Sequence, residues 1–176
     1  MAGPDDVVRF ARTRGIPVNL LSDLGSVRTV VEASNKLHVA LSDIGNTVLA
    51  TVRGQPVLVI VPGDRRVDGA RVGEAFGASP REVSLATREE VRRLTGYEQG
   101  VVPPFGHDSP VPVLLDERLV VKQRVFLPAG AVNALLEISG QLLARMQGTR
   151  IGQWSAAIEV VSSEPGEPED EAGQEA

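Results

Sequence analysis

Pro56-Val57-Leu58-Val59-Ile60-Val61 carries no polar side chain over six positions, and this run limits the fold more than any other feature of the chain. An apolar run without alternation reads as a strand buried on both faces. It follows a short turn at Gly54-Gln55, and before that the β-formers Thr47, Val48, Thr51 and Val52, so the two segments read as a β-hairpin.

Helical and extended signals alternate on either side. Val7, Val8, Phe10 and Ala11 recur at helical spacing before Gly15, and an extended run covers Ile16 to Leu21. Ser26 to Leu37 predicts a second helix and Val67 to Phe76 a third. Thr87-Arg88-Glu89-Glu90 fits a capping box, in which the hydroxyl and the glutamate satisfy free N–H groups at the start of a helix that Gly96 stops. Val113 to Leu115, Val120-Val121, Arg124 to Leu127 and Val132 to Ile138 supply further strand material, and Ser139 caps a last helix ended by Gly148.

One domain is expected over residues 1–161, because 42% hydrophobic content suffices for a core at this length. From Glu164 onward there are six acids and no base, in a stretch of Pro, Gly, Glu and Asp that reads as a disordered acidic tail over 162–176. Without those six the chain has 18 cations against 17 acids, and 16 of the cations are arginine. A local phosphate-binding face is compatible with that arginine content, but net charge does not demand nucleic acid. There is no cysteine, which excludes a disulfide framework, a thiol nucleophile and a thiolate metal site. No signal-peptide core or spanning segment is visible, so the cytoplasm is expected, with no membrane partner.

Few residues carry chemistry. In Asp64-Arg65-Arg66-Val67-Asp68 an aspartate can cap the following helix while the arginines are solvated or paired; alternatively Arg65 and Arg66 hold phosphodiester oxygens with forked donors. Gly100-Val101-Val102-Pro103-Pro104-Phe105-Gly106 is either a rigid connector or a loop that presents the N–H groups of Val101 and Val102 to a carbonyl, since glycine permits unusual torsions and proline removes donors. His107 follows this loop as a solvated histidine or as one facing a pocket, and His38 lies beside a helix end. No second histidine makes a metal pair, and neither a metal nor another cofactor is expected. Trp154, the sole tryptophan, is expected to pack the C-terminal segment onto the core.

In order, these segments resemble the YbaK family, the prolyl-tRNA synthetase-associated or insertion-type editing domain. The resemblance rests on Gly15-Ile16-Pro17, the helix Thr29 to Ala33, Pro62 to Asp68, Leu94-Thr95-Gly96-Tyr97, Gly100 to Gly106, Val113 to Asp116 and Phe126-Leu127-Pro128-Ala129-Gly130, and it covers about residues 5–148. It implies an α/β (α+β) fold on a mixed, partly barrel-like sheet flanked by helices. It also implies hydrolysis of misacylated tRNA in trans, such as alanyl- or cysteinyl-tRNA(Pro), with the tRNA acceptor end as partner. Gly100, Val101 and Val102 would then meet the ester carbonyl, with Pro103, Pro104, Phe105, Gly130, Arg65, Arg66 and His107 around the substrate.

Two positions depart from that pattern. Where the family typically places a lysine before Thr-Leu or Asn-Leu, this chain has Asn46, or Gly45 if the register shifts by one. Exchanging a charged hydrogen bond of about 1.5–3 kcal/mol for a neutral one of about 0.5–1.5 costs roughly tenfold or more in binding or rate. Val101 and Pro103 stand where relatives often have glycine and serine. The competing expectation is therefore a module that binds an aminoacyl-tRNA end, amino acid or nucleotide without hydrolysis.

Overall fold

The structure, a computed structural model, describes residues 2–159; the acidic tail expected over 162–176 lies outside the described residues. Its order is α1 (Pro4–Thr13), β1 (Asn19–Leu21), α2 (Val30–Leu37), β2 (Gly45–Val52), β3 (Gln55–Pro62), β4 (Arg65–Val67), α3 (Gly69–Ala75) and β5 (Val83–Leu85). There follow α4 (Arg88–Thr95), β6 (Val113–Asp116), α5 (Glu117–Val120), β7 (Val125–Pro128), β8 (Leu135–Ile138), α6 (Gly140–Ala144), β9 (Thr149–Gly152) and β10 (Ser155–Ala157).

The β2–β3 hairpin pairs in register from Gly45 with Pro62 to Val52 with Gln55. Its two-residue turn is Arg53-Gly54, one residue earlier than the sequence suggests. Both residues have positive φ, 50° and 78°, as the turn matching the right-handed strand twist requires. β3 is covered on both sides: Leu58 and Ile60 join the largest apolar cluster, whereas Val57, Val59 and Val61 join a second one with Ala50, Val52 and Trp154. Each such fully buried aliphatic side chain contributes about 1.5–3 kcal/mol.

Around the hairpin a mixed five-stranded sheet forms in the order β5-β2-β3-β6-β9, with β6 and β9 parallel to β3. A separate antiparallel sheet has the order β1-β8-β7, and β4 pairs with β10. One parallel bridge, Ile44 to Phe126, connects the first two sheets, and among the described residues no closed barrel forms. The α/β class with a mixed sheet flanked by helices holds.

Several boundaries differ from the sequence reading for identifiable reasons. Arg65–Val67 is a strand because Ala157, Ala156 and Ser155 pair with it, and the helix then starts after Asp68, whose carboxylate accepts from the N–H groups of Ala70 and Arg71. Val120 ends a helix rather than lying in a strand, since buried Asp116 caps that helix through the Arg118 N–H. The other oxygen of Asp116 accepts from the Trp154 N–H at 3.1 Å, which fixes the return of the chain into β10. Trp154 is buried, as expected, in the second cluster. The second helix begins only at Val30, where Thr29 caps the Glu32 N–H and Ser26 donates to the Glu32 carboxylate.

Candidate functional site: a tethered turn at the edge of β2

β3 pairs with all of β2, but β5 reaches only Ala50–Val52. The edge from Gly45 to Val48 therefore has no partner strand from its own sheet on that side; β7 of the other sheet packs near Gly45, and Thr47 ties the Gly100–Pro104 segment to it. The Thr47 hydroxyl, in a residue only 8% exposed, donates to the Val102 carbonyl at 2.6 Å. The Gly130 N–H donates to the Val101 carbonyl at 2.9 Å. His107 Nε2 lies 2.7 Å from the Pro103 carbonyl. A carbonyl only accepts, so this ring nitrogen carries the proton and leaves Nδ1 as the acceptor of the neutral ring. Three successive carbonyls are thus held by three different parts of the fold.

The N–H groups of the turn are divided differently from the sequence expectation. That of Val101 donates to the Glu98 carbonyl at 3.2 Å, so it is not available to a ligand, which corrects its assignment as a donor. Pro103 and Pro104 have none. The N–H groups of Gly100 and Val102 find no acceptor among the described residues. Gly100 has φ +90°, a conformation that side chains resist, and the Arg28 side chain lies across it while donating to the Gln99 carbonyl at 3.3 Å. Gly130 has φ +89°, and a Cβ there would meet Tyr97 Cε1 at 2.8 Å.

Asn46 lies on the other face of β2 from Thr47, because side chains alternate along a strand. Gly45, Thr47 and Leu49 share the face of the largest cluster: a Cβ on Gly45 would strike Leu127, and Leu49 belongs to that cluster. Ile44, Asn46 and Ala50 share the opposite face, where Ile44 and Ala50 belong to two smaller clusters. Asn46 sits half-buried between them, and its amide makes no hydrogen bond among the described residues.

The remaining sequence candidates separate from this edge. Arg65 is engaged with Ser155, its Nε donating to the hydroxyl at 2.8 Å and its Nη2 to the carbonyl at 3.2 Å, so its fork is not free for phosphate as the sequence suggested. Arg66 is exposed on β4. Pro104, Phe105 and His107 line a cleft of about 890 Å³ between α1 and α6, which includes none of Asn46, Gly100 or Gly130. Among the described residues, this cleft therefore does not join all the candidates. His107 is not a solvated loop residue: burial lowers its pKa, opposed by its bond to Pro103 and by Asp108. Burial, with Asp6 and Asp108 adding, pushes the Tyr97 hydroxyl up to about 12, so it stays neutral beneath Gly130. Arg92 is paired with Glu98 at 2.8 Å. Among the described residues no group of three His, Asp or Glu side chains is placed to hold a metal, and no helix is long and apolar enough to cross a membrane.

Sequence reasoning missed Thr47 and Arg28. Nothing local set Thr47 apart from Asn46 and Thr51, the other polar residues of β2, and its partner lies 55 positions away.

Comparison with known proteins places the chain among editing domains. The profile described as the aminoacyl-tRNA editing domain matches residues 25–146. The uncharacterized protein YwhH of Bacillus subtilis is 31% identical over 127 residues, 72% of this chain and 79% of that protein. Proline–tRNA ligase of Bacillus licheniformis is 33% identical over 106 residues, 60% of this chain but only 18% of the ligase. Among solved structures, the hypothetical protein APE2540 superposes with TM-score 0.80 at 32% identity, covering 86% of this chain and 99% of that one. A candidate trans-editing enzyme for prolyl tRNA synthetase superposes with TM-score 0.79 at 27% identity, covering 89% and 99%.

Proposed function

Because the chain belongs to the aminoacyl-tRNA editing domain family, we propose that it hydrolyses misacylated tRNA in trans, with the turn at Gly100–Val102 receiving the ester carbonyl. The observation that carries this reading is the pair of unengaged N–H groups, of Gly100 and Val102, in a turn where the carbonyls of Val101, Val102 and Pro103 are each tethered. Donors held in place before the reaction stabilise charge as it develops, and each is worth about 10²–10³ in rate in a water-excluded site.

In the step so assigned, a water oxygen bonds to the ester carbon and the carbonyl oxygen gathers negative charge beside the Gly100 and Val102 N–H groups. The bond to the terminal ribose oxygen then breaks. One proton of the water passes to that oxygen, releasing a free amino acid and a ribose hydroxyl. The adjacent ribose hydroxyl is placed to relay this proton, and the aminoacyl ester is itself activated, so no side-chain nucleophile is required. By resemblance Asn46 stands where the family keeps a lysine, and an amide there stabilises charge less strongly than an ammonium would. The chain is read as acting on tRNA(Pro) carrying a wrong amino acid, a reading supported by its similarity to a candidate trans-editing enzyme for prolyl tRNA synthetase.

A second reading has its own observation: Asn46 brings no charge and makes no hydrogen bond among the described residues. On that reading the chain binds the aminoacyl end without turnover. Incubation of the purified chain with alanyl-, cysteinyl- and seryl-tRNA(Pro) separates them. Amino acid release above the spontaneous rate supports hydrolysis; saturable binding with no release on any of the three supports the binding module.

A further inference from the structure

The cleft between α1 and α6 lies outside the turn just described. Its apolar wall includes Phe10, Ile16, Leu142 and Met146, closed by the proline-rich stretch that leads to Val113. At about 890 Å³ it is within the size range of small-molecule sites, roughly 300–1,000 Å³. Two cations stand at its mouth, Arg14 at the end of α1 and Arg145 at the end of α6.

Neither cation has an anionic partner among the described residues. The Arg14 guanidinium lies over the Phe10 ring with its carbon 3.6 Å from the centroid, and Phe10 stacks in turn on Phe105 at 5.3 Å. That stack covers the face of the guanidinium and orients it, leaving donors along its edge for a forked contact. Its one recorded side-chain hydrogen bond is a long one, 3.4 Å to the Thr13 hydroxyl. Both faces of Phe10 are covered, so the wall offers apolar contact rather than a free stacking surface. The nearby carboxylate, Asp108, folds across Gly96, within 3 Å of where a Cβ there would sit. With His107 neutral, the two arginines and Asp108 leave one net positive charge around the apolar wall. A single negative charge on an apolar body complements that arrangement better than a phosphate dianion.

We propose that this cleft binds a small organic monocarboxylate with an apolar body, its carboxylate on the Arg14 fork and Arg145, its chain or ring against Leu142 and Met146. This assignment stands independently of the deacylase reading, because binding is measured without tRNA. It also lies next to the tethered turn, since His107 both lines the cleft and contacts the Pro103 carbonyl.

Isothermal titration of the full chain with octanoate, 1-octanol and inorganic phosphate tests it. The expected result is saturable octanoate binding in the millimolar range or tighter, with octanol and phosphate each weaker by about tenfold or more, the loss of a charge-assisted contact or of the apolar one. Arg14→Gln and Arg145→Gln are each expected to weaken octanoate by about tenfold or more with unchanged melting temperature. Arg81→Gln, an exposed arginine shortly before β5 and outside the cleft, is expected to leave binding unchanged. The proposal is overturned by non-saturable octanoate binding, by octanol or phosphate binding as tightly, or by Arg81→Gln weakening binding as much as the two cleft variants. Each of these shows an adventitious hydrophobic or ionic association only.

Discussion

Thr47→Val removes one hydroxyl and keeps the shape of the side chain. In the native fold that hydroxyl is the recorded hydrogen-bond donor to the Val102 carbonyl, 2.6 Å away, at a residue 8% exposed. Its removal leaves a carbonyl in a buried site without its partner, a loss of about 1–3 kcal/mol. For a domain of this size each kcal/mol lowers Tm by about 2–4 °C, so a fall of roughly 2–12 °C is expected by calorimetry. The same carbonyl anchors the peptide next to the unengaged Val102 N–H. On the proposed mechanism, release of amino acid from misacylated tRNA should therefore fall by about tenfold to a hundredfold, less than complete removal of an oxyanion donor. Thr47→Ser retains the donor and should recover most of both losses. If Thr47→Val melts and turns over like the native chain, the tether does not hold the turn, and the argument from three fixed carbonyls fails.

Asn46→Lys should raise release from at least one misacylated tRNA by about tenfold, the effect of roughly 1.4 kcal/mol of added charge stabilisation, whereas Asn46→Ala should lower it; a folded lysine variant no faster than native favours the binding module. The pKa of His107 is lowered chiefly by burial, so on acidification the unfolded chain takes up its proton before the folded one. The contribution of His107 to stability is therefore complete above the ordinary histidine value and is lost as pH falls through that value toward the depressed one. His107→Gln should flatten stability against pH in that window, and an unchanged slope in denaturant titrations at pH 7 and 5 counts against it. Deleting residues 163–176 removes six acids and no base, and tRNA affinity at low salt should rise because those charges no longer compete for arginines; equal affinity by filter binding contradicts this.

How far the sequence reaches depends on how local each determinant is. The hairpin was legible because β3 has one physical solution, a strand covered on both faces, and Val57 through Val61 meet two separate clusters. The strand at Arg65–Val67 was not, because its partners Ser155–Ala157 lie about 90 positions on and Arg65 reads locally as a solvated cation. Val120 looks like strand material in isolation; the helix there depends on Asp116, which is fixed by Trp154. At the site, glycine and paired prolines marked Gly100–Pro104 as an unusual backbone. Which N–H groups stay unengaged follows from the Glu98 carbonyl, and which carbonyl is anchored follows from Thr47; no spacing rule reports either. The α1–α6 cleft was invisible because it joins segments from opposite ends of the chain.

Hydrolysis at the Gly100–Val102 turn is tested most directly by single-turnover release of amino acid from misacylated tRNA(Pro), comparing the native chain with Gly100→Ala. The alanine must adopt φ near +90° beside Arg28, a strain of about 1–2 kcal/mol that displaces the turn. The native chain is predicted to release amino acid faster than the spontaneous rate, and the folded variant at least about tenfold more slowly than native. A native chain that releases nothing above that rate, or a Gly100→Ala variant that matches it, would contradict hydrolysis at this turn.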